Sequence, residues 1–135
     1  MGKTQFDFSG QTAIVTGSAT GIAQTAAERF AEAGAHVFLV DINEEGGAAA
    51  AEKIRTNGGK AEFVACNVTN SSSVEKTFSH VLTATGRIDI LVNSAGGWTK
   101  QQSVAETPEE EWDHIINLNL KSVFLCSKAA TPTFL

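Results

Sequence analysis

Thr16-Gly17-Ser18-Ala19-Thr20-Gly21-Ile22-Ala23 is the stretch that decides the fold. An apolar run, Thr12-Ala13-Ile14-Val15, precedes it, and a helical pattern begins at Ile22. A strand, a glycine-rich turn and a helix N-terminus in that order form a cradle for phosphate. Gly17 turns the chain sharply off the strand, and Gly21 lets backbone approach a ligand with no Cβ between them. The first N–H groups of a helix have no intrahelical partners and point at whatever anion sits there. Gly17, Gly21 and Ala23 form a loose version of a dinucleotide fingerprint, with alanine where a third glycine would ease helix–strand packing. No Lys-Ser or Lys-Thr follows the second glycine, which excludes a P-loop. Taken alone, the stretch also fits any tight strand-to-helix turn.

Outward from this turn, periodicity predicts alternating elements. A strand over 12–16 leads into a helix over 21–33, with Ile22, Ala26, Phe30 and Ala33 on one face. Phe6 and Phe8 alternate as if to pack on the first strand. The run Ala35-His36-Val37-Phe38-Leu39-Val40 lacks alternation, as expected of a strand covered on both faces. A helix over 44–57 follows, with Asn43 as N-cap, a first turn weakened by Gly46-Gly47, and a stop at Gly58-Gly59. A strand over 61–66 leads to a helix starting at 70–73, where Ser72 and Glu75 suggest a capping box. Val74, Phe78, Val81 and Leu82 supply its apolar stripe. A fourth strand over 88–92 is followed by a polar loop. Thr107-Pro108-Glu109-Glu110 reads as a second capping box, with proline at the first helical position of a helix running to about 130.

The order βαβαβαβα with short crossovers predicts a Rossmann-like, doubly wound parallel sheet in one domain spanning 1–135, with strand order 3-2-1-4. Strands one and four then lie side by side, and their glycine-rich turns meet where ligands of open α/β sheets bind.

Further residues fall on that sheet edge. Asp41 ends strand two about twenty residues past the turn, placed to accept from a ribose diol and to repel a 2′-phosphate. With no basic residue in Ser18-Ala19-Thr20, this favours NAD over NADP; a helix cap or solvated turn aspartate is the alternative. Ile42 follows it, and Ser18, Thr20 and Ile22 count with the cradle. Asn67 ends strand three, where its amide oxygen can accept from an adenine amino group and Val68 can cover the ring; an ordinary Asx turn is the other reading. Asn93, Ser94, Ala95 and Gly96 form the turn after strand four. Asn119 interrupts an apolar helix face and needs a partner or a water there, whereas Asn117 falls on a different, solvated face.

Composition bounds the rest. The chain has 135 residues and a net charge of −5. With no Lys/Arg cluster, nucleic acid and anionic membrane are not expected partners. No apolar run approaches the roughly 20 residues of a membrane span. Met1 to Phe6 lacks a signal-peptide core, and Gly2 lacks the context for acylation, so a cytoplasmic protein is expected. Cys66 and Cys126 lack metal or C-x-x-C spacing and read as buried thiols. His36, His80 and His114 are scattered, so no metal site is expected.

Read in order, these residues resemble the short-chain dehydrogenases/reductases over nearly the whole chain. Thr16 to Ala23 is similar to that family's Thr-Gly-x-x-x-Gly-Ile-Gly motif, and Asp41 to its NAD-selecting acidic residue. Asn67-Val68 resembles its Asp-Val adenine contact, with Asn for Asp. Asn93-Ser94-Ala95-Gly96 resembles its Asn-Asn-Ala-Gly motif, with Ser for the second Asn. The segment from Trp112 to Phe124 places Asn119 on its catalytic asparagine, which helps hold a water in a proton relay. The resemblance implies an oxidoreductase interconverting alcohol and carbonyl with NAD and a small-molecule substrate.

It also implies a departure. The family's Ser, Tyr and Lys catalytic residues lie beyond the fourth helix, and this chain contains no tyrosine. The expectation is a cofactor-binding part, inactive alone; a non-catalytic dinucleotide-binding or interaction module is the alternative. An apolar edge at strand four and apolar surface on helix four (Trp112, Ile115, Ile116, Val123, Phe124) lead to the expectation of a homo-oligomer through one of them.

Overall fold

The structure, a computed structural model, describes residues 5–135. Readings made on Met1 to Thr4, including that on Gly2, lie outside the described residues. Strands β1 (Thr12–Thr16), β2 (His36–Asp41), β3 (Lys60–Ala65) and β4 (Ile90–Val92) alternate with helices α1 (Gly21–Glu32), α2 (Glu44–Thr56) and α3 (Ser71–Thr85). After β4 come a 3-10 turn (Val104–Glu106), α4 (Glu109–Ile116), a π-helical segment (Asn117–Lys121) and α5 (Ser122–Phe134). The four strands are parallel in the order β3-β2-β1-β4. The expected crossover reversal is present, and β1 pairs with β4 through Ala13–Ile90, Ile14–Leu91 and Val15–Val92.

The strand pleat divides the core in two. Ala13, Val15, Val37 and Leu39 face one side, under Ala23, Ala27 and Ala31 of α1 and Ala50, Ala51 and Ile54 of α2. Ile14, Phe38 and Val40 face the other, against Val74, Phe78 and Val81 of α3 and Cys126 and Ala130 of α5. Successive strand residues point to opposite faces, so covering both faces demands an unbroken apolar run rather than alternation. Ile14, Phe38 and Leu39 are fully buried. Each such burial contributes about 1.5–3 kcal/mol.

Several local readings are corrected. The buried face of α1 is Ala23, Ala27 and Ala31, one residue round from the expected stripe, and Ile22 is 88% exposed. Alanines let α1 approach the sheet closely, while Phe30 turns aside to pack on Phe8 at 5.3 Å between ring centroids. Phe8 therefore packs on α1 as well as against the core beneath it. Gly47 does more than weaken a helix turn: a Cβ there would lie 2.1 Å from the Phe63 ring, so its absence sets the spacing of α2 over β3. Asn43 caps α2 as expected, accepting from Gly46 N–H at 2.9 Å.

The cap of α3 is Asn70, accepting from Ser73 N–H at 2.8 Å, rather than a Ser72–Glu75 box. Pro108 is the N-cap of α4, one position before the helix, and the capping box lies upstream at Ser103 and Glu106. The fourth helix is not continuous: α4 and α5 are joined through the π segment around Asn119. Strand β4 is three residues long and starts just past Asp89, which makes its own contact with β1.

That contact ties the first and last strands at their starting ends. Asp89 Oδ2 accepts from Thr12 N–H at 2.8 Å, Asp89 N–H donates to Thr12 C=O at 2.9 Å, and Arg87 pairs with both carboxylate oxygens at 2.8 and 2.6 Å. The Arg87 guanidinium, with help from Thr12 N–H, holds the Asp89 carboxyl below its ordinary value of 3.8 despite partial burial. A carboxyl depressed by folding adds stability above its unfolded value and loses it as pH falls through the folded one. We expect Asp89→Asn to lower the melting temperature by a few degrees at pH 7. The gap should close as pH is lowered past 3.8. Melting curves of both proteins from pH 7 to 3 check this; a gap independent of pH would remove the charge from the account.

Candidate functional site

The two turns at the C-terminal edge of the sheet meet, and Thr16 joins them. Its buried hydroxyl accepts from both Ser94 N–H and Ala95 N–H at 3.0 Å and donates to Val92 C=O at 3.4 Å. Gly17 has φ +69°, and a Cβ on it would lie 2.8 Å from Ala95 Cα and N. Its N–H donates to Val40 C=O at 2.8 Å, which draws the turn against β2 as well. The sequence signal for the role of Thr16 is a hydroxyl at the end of a largely apolar strand, just before the first glycine-rich turn.

The N-terminus of α1 opens beside this junction. Gly21 has φ +65° with nothing within 4 Å of its Cβ position. Thr20 is the N-cap residue but makes no side-chain cap bond, and the first turn holds no acidic residue. By contrast α2 and α3 are closed by Asn43 and Asn70. The orphan N–H groups of α1 therefore lack the side-chain acceptor that the other two helices carry. Ser18 is fully buried with its hydroxyl toward Val40 C=O, so its side chain shapes the turn and does not reach a ligand. Ile22 and Ile42 are 88% and 73% exposed.

Asp41 closes the turn. One carboxylate oxygen accepts from Ala19 N–H and the other from Asn43 N–H, each at 2.9 Å. It is thus also the turn aspartate of the alternative reading, and each oxygen keeps a lone pair for a further donor.

Asn67 lies two residues past Ala65, which is in register with Asp41. Its amide oxygen, expected to be free for an amino group, is engaged: Oδ1 accepts from Thr69 N–H at 3.0 Å and Thr69 Oγ1–H at 2.7 Å. The Asx turn is therefore formed. Val68 is 6% exposed and packs in the core, so its side chain is not available to cover a ring.

Asn93 donates from Nδ2 to Ser127 Oγ at 3.3 Å, tying the second turn to α5. Asn119 finds its partners in backbone. Its Oδ1 accepts from Gly97 N–H at 3.0 Å, and its Nδ2 donates to Gly97 C=O at 2.8 Å and to Ile115 C=O at 2.9 Å. A Cβ on Gly96 would sit 2.7 Å from Asn119 Oδ1, so glycine there permits the clamp. Asn119 is exposed and Asn117 half-buried, the reverse of the expected order, because the π segment rotates the helix faces between α4 and α5.

The thiols Cys66 and Cys126 are buried and free. Burial, with Cys66 nearby, pushes the Cys126 thiol up to about 12, which makes it inert. Among the described residues, no cluster of His, Cys, Asp and Glu is placed to hold a metal ion, and no helix is long and apolar enough to cross a membrane.

A parallel sheet with two joined glycine turns and an uncapped helix end between them defines a dinucleotide-binding α/β protein. The short chain dehydrogenase family profile matches residues 11–135, and the chain belongs to that family. It is 42% identical to an uncharacterized oxidoreductase of Bacillus subtilis, over 93% of this chain and 46% of that protein. It is also 42% identical to a cyclopentanol dehydrogenase of Comamonas, over 86% of this chain and 46% of that one. A metagenomic short-chain oxidoreductase solved in complex with NADP superposes with a TM-score of 0.91 at 35% identity, covering 94% of this chain and 57% of that structure. The chain spans about half the length of the curated relatives it matches.

Proposed function

We propose that this chain is the cofactor-binding part of a short-chain, NAD(H)-dependent oxidoreductase that interconverts an alcohol and a carbonyl. The observation that carries the reading is the α1 N-terminus, left without a side-chain cap where two glycine turns are fastened by Thr16. In this reading the pyrophosphate sits over residues 17–22, on backbone N–H groups with Thr20 beside them. Asp41 accepts from the adenosine ribose, Ile22 and Ile42 flank it, and the adenine lies by Asn67-Val68. The nicotinamide side rests on Asn93, Ser94, Ala95 and Gly96, with Asn119 holding Gly97 behind it. When bound, the cofactor supplies hydride transfer; this chain's residues bind it, orient it and exclude water from the junction. The Comamonas relative's name, a dehydrogenase of a cyclic alcohol, supports the alcohol class.

The negative charge of Asp41, fixed by two N–H bonds, supports NAD over NADP. The chain has no tyrosine to move the substrate proton, so it is inactive by itself in this reading, and the proton-relay role of Asn119 belongs to the whole enzyme. Trp112, Leu120 and Phe124, each about three-fifths exposed, support a homo-oligomer through the fourth helix or the β4 edge; light scattering that finds only monomer would remove that part. Calorimetric titration with ADP-ribose and with NAD tests the cofactor reading. Comparable binding of both is expected, since the phosphate and adenosine contacts lie in this chain. Binding of neither, or turnover of an alcohol by this chain alone, would overturn it.

A further inference from the structure

We infer that Asn67 reads the cofactor's base as a hydrogen-bond donor, not as the acceptor that an aspartate there would be. The inference rests on the proposed placement of the base beside Asn67 and follows from an account of that residue's polar groups. Its backbone N–H donates to Ser73 Oγ at 3.0 Å. Its backbone C=O accepts from Asn70 N–H at 3.1 Å. Its Oδ1 accepts twice, from Thr69 N–H at 3.0 Å and Thr69 Oγ1–H at 2.7 Å. An amide oxygen has two lone pairs, so its acceptor capacity is filled.

The amide cannot be turned the other way, because a backbone N–H is only a donor and requires oxygen opposite it. Among the described residues Nδ2 has no hydrogen-bond partner, and the residue is exposed. Of the Asn67 side chain's polar atoms, the one left to offer a ligand is therefore the Nδ2 N–H.

The chemistry of purine edges makes this a choice of ligand. A carboxylate or a free amide oxygen meets the 6-amino group of adenine and is repelled by a 6-oxo group. An N–H donor meets ring nitrogen or a 6-oxo group and gains nothing from a 6-amino group. The site accordingly accepts 6-oxopurine dinucleotides alongside adenine ones. Ser73 and Thr69 are the positioning residues: the first holds the Asn67 backbone, and the second occupies its oxygen.

The test compares NAD with nicotinamide hypoxanthine dinucleotide by calorimetry, on this protein and on Asn67→Asp. The substitution keeps an oxygen for Thr69 and exchanges only the outward N–H for a carboxylate oxygen. Because residue 67 is exposed, folding should be unaffected, and melting curves verify this. The hypoxanthine dinucleotide should bind this protein at least as tightly as NAD, and Asn67→Asp should shift the ratio about tenfold toward NAD. A tenfold or greater preference of the unmodified protein for NAD, or a ratio unchanged by the substitution, overturns the inference and leaves the cofactor reading standing. Binding of neither dinucleotide overturns both.

Discussion

Replacing Asp41 by serine and Ile42 by arginine is expected, on the proposed reading, to shift the NADH-to-NADPH affinity ratio of this protein toward NADPH by about two to three orders of magnitude. The Asp41 carboxylate is held at the cradle edge by Ala19 N–H and Asn43 N–H, so it cannot swing away from a 2′-phosphate. Nothing in Ser18-Ala19-Thr20 offsets its charge. Removing the carboxylate lifts the repulsion. An arginine at the exposed position 42 adds a charge-assisted contact to the phosphate worth about 1.5–3 kcal/mol.

The carboxylate also closes the turn, so a single substitution separates the two roles. Asp41→Asn retains an oxygen for Ala19 N–H but loses the charge and the acceptor for Asn43 N–H. It should shift the NADH-to-NADPH affinity ratio about tenfold toward NADPH, and lower the melting temperature by only the few degrees that one exposed hydrogen bond is worth. Competitive titration of NADH against NADPH on the three proteins measures both effects. A preference for NADPH in the unmodified protein would refute the assignment.

The fold was legible because the strands are buried on both faces and the crossovers are short. Val37 to Val40 admits no alternation, and glycines or asparagines punctuate nearly every helix end. What the sequence concealed was orientation within elements. Ile22 looked like the first residue of a buried stripe, but α1 is pressed to the sheet by alanines, and the larger side chain is left at the rim. The π segment at Asn117–Lys121 rotates the helix faces on either side of it, so a reading of one continuous helix puts Asn117 and Asn119 on the wrong faces.

The candidate site divides in the same way. Gly17, Gly21 and Asp41 act through backbone conformation and charge, which residue identity reveals. Asn67, Ser18 and Val68 depend on which atoms are already taken. The Asx turn at Asn67 is one of two readings open in the sequence, and the structure forms it through Thr69; it also turns Ser18 into the core and buries Val68.

Gly17→Ala tests the junction itself and should cost about 3–5 kcal/mol of stability. Two terms add. An alanine in the left-handed region costs about 1–2 kcal/mol wherever it occurs. Here its methyl would also lie 2.8 Å from Ala95 Cα and N and 3.0 Å from Ser94 C, all backbone atoms. Moving that backbone away breaks the bonds from Ser94 N–H and Ala95 N–H to Thr16, each worth about 1 kcal/mol. Against a typical stability of about 5–15 kcal/mol this is a large fraction, and the melting temperature should fall by more than about 10 °C.

Gly21→Ala isolates the first term. It has nearly the same φ, +65°, but open space where the methyl would sit. It should lower the melting temperature by only a few degrees, through the conformational cost alone. Its methyl would still stand over the α1 N-terminus and should weaken dinucleotide binding at least tenfold. Thermal melts and titrations of the two variants together separate a turn that holds the sheet edge together from one that receives the ligand. Equal losses of stability at both positions would mean that the two turns are not packed on each other, and the joined cradle would have to be abandoned.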